Sequence, residues 1–365
     1  MTQATQSQAN WTVRFPLDGD MLTERDGEVR DGKLHIVVEL DVPDERALRV
    51  NGAPVRPQDG ICRADVTLEG YSNTIVIDDD KQPGAGQTIV VYWLRRATSK
   101  FRLSVDDSIW FLQDIAQQRD AYRSIFDNPY LAVFKEAHDT YGLKVQFNLY
   151  DRTDGFDLSQ MPERFKPEWQ ANADWLRLTF HALQNDPPKP YEHASPEQLL
   201  VDCERVTGQI VRFAGAELLD PATTIHWGAV TREGCRALRS FGMKGLAGYF
   251  RVEDGKPIVS YYLSNEQTAH LEKRDFWKDH SEDLVFVKID AVLDRLQLDE
   301  VVPALERIKS LPHESGFLDV MVHEQYYYPH YSAYQPDYRD KIMATARWAA
   351  ENGYEPAFLS ECLFE

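Results

Sequence analysis

The chain has 365 residues, 43% of them apolar, with 17 Phe, 17 Tyr and 8 Trp, which suffices for a sizeable core and excludes a disordered protein. Its 40 Lys and Arg stand against 59 Asp and Glu, a net charge of −19 with no basic run, so nucleic acid and anionic membrane are not expected partners. Four cysteines, Cys62, Cys203, Cys235 and Cys362, lack CxxC spacing and are expected as reduced, mostly buried thiols rather than a disulfide framework or a zinc knuckle.

The opening MTQATQSQAN lacks a charged-then-apolar segment and no apolar stretch approaches a membrane span, so a soluble, cytoplasmic chain is expected. From about residue 11 to 100, β-rich runs alternate with turn signals: KLHIVVELDV, RALRVNGAPV with an Asn51-Gly52 turn, NTIVIDD and TIVVYWL. This spacing predicts a small Ig-like all-β sandwich over 1–100, an accessory domain with few catalytic side chains. Two roles fit it, contact with substrate and the interface of a homo-oligomer.

From 101 to 365 the text alternates strand and helix. Strands are predicted at 102–107, 144–150, 175–181, 223–227, 245–250, 284–290, 318–324 and 356–361. Helical runs lie between most of them: NPYLAVFKEAHDTYG, SPEQLLVDCERVTG, TREGCRALRSFG, DEVVPALERIKSL and PDYRDKIMATARWAAENG. Seven or eight alternations without a Gly-rich phosphate loop predict an α/β chain whose catalytic domain is a (β/α) barrel.

Barrel sites form where strands end. Asp106 and Asp107 close the first strand, His181 the third, His226 the fourth, and His323 with Glu324 the seventh. A carboxylate with two imidazoles suits a divalent metal ion, zinc, cobalt, nickel or manganese, and leaves positions for water and substrate. Such a cation would also offset the repulsion between two adjacent aspartates.

LSVDD, LTFHALQND followed by SPEQLLVDCERV, TTIHWGAVTREGCRALRSFGMKGL and LDVMVHE, in that order over 101–361, resemble the motifs of the polysaccharide deacetylases with a NodB-homology domain. The resemblance implies Asp106 as general base, Asp107 as metal ligand, His181 as first metal histidine and His323 as the group assisting the leaving atom. Four residues after His181, where the family has its second metal histidine, stands Asn185, and His226 replaces the arginine of the third motif. Asp107, His181 and either His193 or His226 are therefore expected to hold the metal.

Trp227, Tyr326 and Tyr328 are candidates for stacking on a sugar, the two tyrosines lying in the Tyr-rich stretch 323–338. Glu324 is expected as a site acid, a helix-capping group or a solvated neighbour. The leading expectation is metal-dependent hydrolysis of an N- or O-acetyl group from a carbohydrate. A glycoside hydrolase using Asp106 or Asp107 with Glu324, and a non-catalytic carbohydrate-binding protein, are the alternatives.

Overall fold

The computed structural model describes residues 11–43, 46–80 and 82–364, so the expectation about the first ten residues lies outside it. The chain divides into two compact units, one running to Thr98 and taking in Trp277–His280, the other holding Ser99–Phe276 and Ser281–Phe364.

The first unit carries two sheets. Thr12–Phe15, Lys33–Asp41, Glu28–Arg30 and Ile61–Leu68 form a four-stranded one; Met21–Leu22, Gln82–Trp93, Ser72–Asp79, Leu48–Val50 and Ala53–Val55 form a five-stranded one. Alternation along Lys33–Asp41 buries Leu34, Ile36, Val38 and Leu40, and this face shares one core with Cys62, Ile75, Ile77, Ile89 and Val91. The Asn51-Gly52 turn has positive φ at both residues, the conformation that lets a two-residue hairpin follow strand twist.

In the second unit, β1 (Lys100–Ser108), β2 (Val145–Tyr150), β3 (Leu176–Ala182), β4 (Ala222–Thr223), β5 (Gly245–Gly248), β6 (Leu284–Lys288) and β8 (Phe317–His323) fall at the first seven predicted strands, and β7 (Ala291–Val292) is a two-residue strand that was not predicted. The intervening helices include α1 (Trp110–Gln117), α2 (Pro129–Tyr141), α3 (Pro196–Phe213) and α4 (Arg232–Phe241). Local chemistry sets their starts: the side chains of Asn128, Ser195 and Thr231 accept from Leu131, Gln198 and Gly234 amides, and Pro occupies the first turn of α2 and α3.

The expected closed barrel is replaced by two parallel sheets. One runs β3-β2-β1-β8-β7, and β4-β5-β6 are neighbours in the other. The reason lies in β4, only two residues long before the chain turns at His226–Gly228, too short to extend a ladder with β3. Side chains bridge that seam instead: Gln146 Nε2 donates to the Ala222 carbonyl at 3.0 Å, and the hydroxyls of Thr179 and Thr223 lie 3.1 Å apart. On the far side, the Asp290 amide donates to the Asp319 carbonyl at 2.7 Å and the Asp319 amide to Asp290 Oδ2 at 2.9 Å. The predicted strand 356–361 also differs, since only Glu355–Pro356 pairs with β1 and Leu359–Cys362 is helical.

All four cysteines are free and buried, and among the described residues no helix is long and apolar enough to cross a membrane.

Candidate metal centre and its cavity

Parallel register brings the strand ends together. Asp106 pairs with His323 across β1 and β8, and the β1–β2 register slips between Val105 and Ser108. In a regular strand, consecutive side chains point to opposite faces. Here the slip coincides with a positive φ of 61° at Asp107, and both carboxylates line the same cavity of about 460 Å³.

Asp107, His181 and His226 form a group of potential metal donors. His181 Nε2 lies 3.0 Å and His226 Nδ1 3.1 Å from Asp107 Oδ1, and the two ring nitrogens are 3.1 Å apart. Bonds of about 2.0–2.2 Å at tetrahedral angles place donor atoms about 3.3–3.5 Å from one another, so this triangle fits a zinc-sized cation. The outer partners fit as well. His181 Nδ1 bonds the Thr224 carbonyl, which turns Nε2 toward the triangle, where a cation would take the place of the proton that bonds Asp107, and Gln325 Nε2 donates to Asp107 Oδ2 at 2.8 Å. Burial opposes ionisation of Asp107, yet hydrogen bonds from His181 and His226 and the charge of His323 hold its carboxyl well below the usual range.

Asp106, buried, accepts from Asn148 Nδ2 at 2.5 Å. His323 faces the cavity with Nδ1 3.0 Å from Asp294 Oδ1, which also accepts the His323 amide. Burial pulls the imidazole pKa down, but the charge and hydrogen bond of Asp294, then Asp107 and Asp106, lift it to about 10. The ring is therefore an imidazolium at neutral pH, able to give a proton to a group in the cavity.

The other expected residues divide. Trp227 and Tyr326 line the cavity, Trp227 with 53% of its surface exposed and a positive φ of 64°. Tyr328 does not; its hydroxyl donates to Glu324 Oε1 at 2.9 Å, and it lines a separate cavity with Trp110 and His330. His193 extends an exposed side chain beside Glu192, outside the donor group, so His226 takes the third position. The Pro-rich loop after β3 carries His193 away, whereas the turn after β4 points His226 inward.

Glu324 is a correction to its expectation as a site acid. It is fully buried and accepts the amides of Ile109, Trp110 and Phe111 at 2.5, 3.0 and 2.6 Å, capping α1 from 215 residues away at the first of them. Burial pushes its pKa up to about 7 against these donors. With Glu324 committed there and absent from the cavity lining, the carboxylate-pair glycosidase loses its second acid.

Four residues of the site escaped the sequence: Asn148, Tyr150, Asp294 and Gln325. Tyr150 ends β2 with its hydroxyl on Asp107 and 3.0 Å from His226 Nδ1, and a strand-end position was the signal that could have flagged it. Asp294 follows the two-residue β7, which has no strand-like run to mark it.

No family model and no curated protein matches the chain. Among solved structures, it is similar to a CE4 family pseudoenzyme from Bacillus anthracis, at 10% identity over 80% of this chain and 84% of that one, with a TM-score of 0.36. A Streptococcus mutans CE4 esterase matches at 12% identity over 71% and 84%, TM-score 0.36. A 4-alpha-glucanotransferase from Thermococcus litoralis matches at 13% over 72% of this chain and 40% of that one, TM-score 0.47. Likeness at this level carries no functional argument, and the chemistry has to come from the cavity's own residues.

Proposed function

We propose that this chain is a metal-dependent hydrolase that removes an N- or O-acetyl group from a carbohydrate. The observation that carries this reading is the meeting, in one cavity, of the Asp107, His181 and His226 donor triangle with a separate carboxylate, Asp106, and an imidazolium, His323. Asp107, His181 and His226 would hold a divalent cation, whose chemistry when bound is to acidify water and polarise an acyl carbonyl.

The chain's own groups do the proton work. Asp106 accepts the proton of the attacking water, and Asn148 fixes its orientation. His323 delivers a proton to the departing amine or alkoxide, while Asp294 holds the ring and keeps it charged. The rings of Trp227, Tyr249, Tyr326 and Tyr331 line the same cavity and offer faces for a sugar.

Elemental analysis of protein purified without chelators or a metal-affinity column tests the centre. Wild type is expected to carry about one equivalent of a transition metal, and His181→Ala and Asp107→Ala much less. Asp106→Asn is expected to keep the metal and lose about 10²–10⁴-fold in turnover of acetylated sugars. A wild type that takes up no metal on reconstitution overturns the centre; full activity in Asp106→Asn overturns the base.

A further inference from the structure

Arg295 lines the cavity directly after Asp294, the partner of His323. Its side chain is exposed, and among the described residues it meets no carboxylate and no carbonyl; its guanidinium lies 5.1 Å from the centroid of the Tyr249 ring. Several arginines of the unit do hold a carboxylate. Arg205 sits 2.7 Å from Asp151, Arg236 2.7 Å from Glu282 and Arg339 2.5 Å from Glu136. In a chain with 59 acidic residues, an arginine without a carboxylate at the catalytic wall has a donor fork to give to something else.

The carboxylates that line the cavity have partners other than Arg295. Asp107 faces His181 and His226, Asp294 faces His323, Asp106 takes the Asn148 amide, and Asp186 takes Asn185 Nδ2 at 3.1 Å. Aliphatic Ile258, Val259 and Val292 line the cavity without offering polar groups. Tyr249 is also flanked by Arg251, whose guanidinium lies 5.6 Å from the ring but 3.8 Å from Glu272, so its charge is already met by a carboxylate while that of Arg295 is not.

Resting on the proposed function, we infer that the sugar bound here is acidic, with a carboxylate of the uronate type received by Arg295 beside Tyr249. Planar guanidinium and planar carboxylate match in a two-point hydrogen bond, which a neutral hydroxymethyl cannot make. Arg295 thus selects among sugars while Asp106 and His323 act on the acyl group.

Calorimetric binding separates this from the hydrolytic reading, because it needs no turnover. The probes are a β-1,4-linked glucuronate tetramer and cellotetraose, its neutral counterpart, with wild type and Arg295→Gln. Wild type is expected to bind the glucuronate tetramer about tenfold or more tighter than cellotetraose, a preference that shrinks with added salt. Arg295→Gln is expected to bring the two within about twofold, chiefly through weaker binding of the glucuronate tetramer, since one charge-assisted contact has the size of the whole preference. Equal binding by wild type, or a preference that survives Arg295→Gln, overturns the inference. Loss of metal or of acetyl-sugar hydrolysis, with the preference intact, overturns the hydrolase reading alone.

Discussion

At the scale of single residues, two acids show how far side-chain position governs role. Glu324 follows His323 in sequence, yet its carboxylate serves the Ile109 amide just before α1 and the first two amides of α1, and it does not line the cavity. Glu324→Ala would leave those buried donors without an acceptor and is expected to cost about 2–4 kcal/mol, read as a lowered denaturation midpoint, with metal content unchanged. Asp294 does the opposite work, holding His323 charged. The folded imidazole, with a pKa of about 10 against 6.5 unfolded, binds its proton more tightly than the unfolded chain does. Its stabilising contribution is therefore complete below pH 6.5 and fades as pH rises toward 10. Asp294→Asn is expected to move the His323 titration, followed by imidazole NMR, down toward 6.5 and to remove that pH dependence. Residue identity alone could not distinguish these acids, because a capping carboxylate and a tuning carboxylate differ only in what the fold sets against them.

Elements were more legible than sites. β1, β3 and β8 lie where apolar runs lead to Asp or His, β2 lies on the run that leads to Tyr150, and the caps Asn128, Ser195 and Thr231 start α2, α3 and α4 as their types predict. The turn after β4 was not legible: 223–227 reads as a strand, but the chain breaks off at Thr223 and places Trp227 at φ 64°. A bulky residue there carries about 1–2 kcal/mol of backbone strain. Trp227→Gly is expected to raise the thermal midpoint or leave it level while weakening cellotetraose binding. A large fall in stability would show that Trp227 packs rather than presents a ring. Sequence pattern counts apolar spacing, and neither the slip in β1 nor this turn leaves a mark in that count.

For the molecule as a whole, strand order was foreseeable and closure was not, because closure depends on hydrogen bonds between strands whose lengths the text overstates. Inside the second unit, buried Arg102 bonds both oxygens of Asp319 at 3.0 and 2.8 Å, tying β1 to β8. Arg102→Met leaves an uncompensated buried carboxylate and is expected to cost about 3–5 kcal/mol by chemical denaturation, with Arg102→Met/Asp319→Leu recovering much of it. The donor triangle has a further consequence. Asp107 and His181 belong to the sheet β3-β2-β1-β8-β7, while His226 follows β4 of the other sheet, so the three donors straddle the side-chain seam between them. A cation held by all three would act as a rivet across that seam. Amide hydrogen exchange at Ala222–Gly228 and in β3 should then slow on metal loading and quicken on chelation, and the two sheets should exchange as one cooperative block only in the loaded protein.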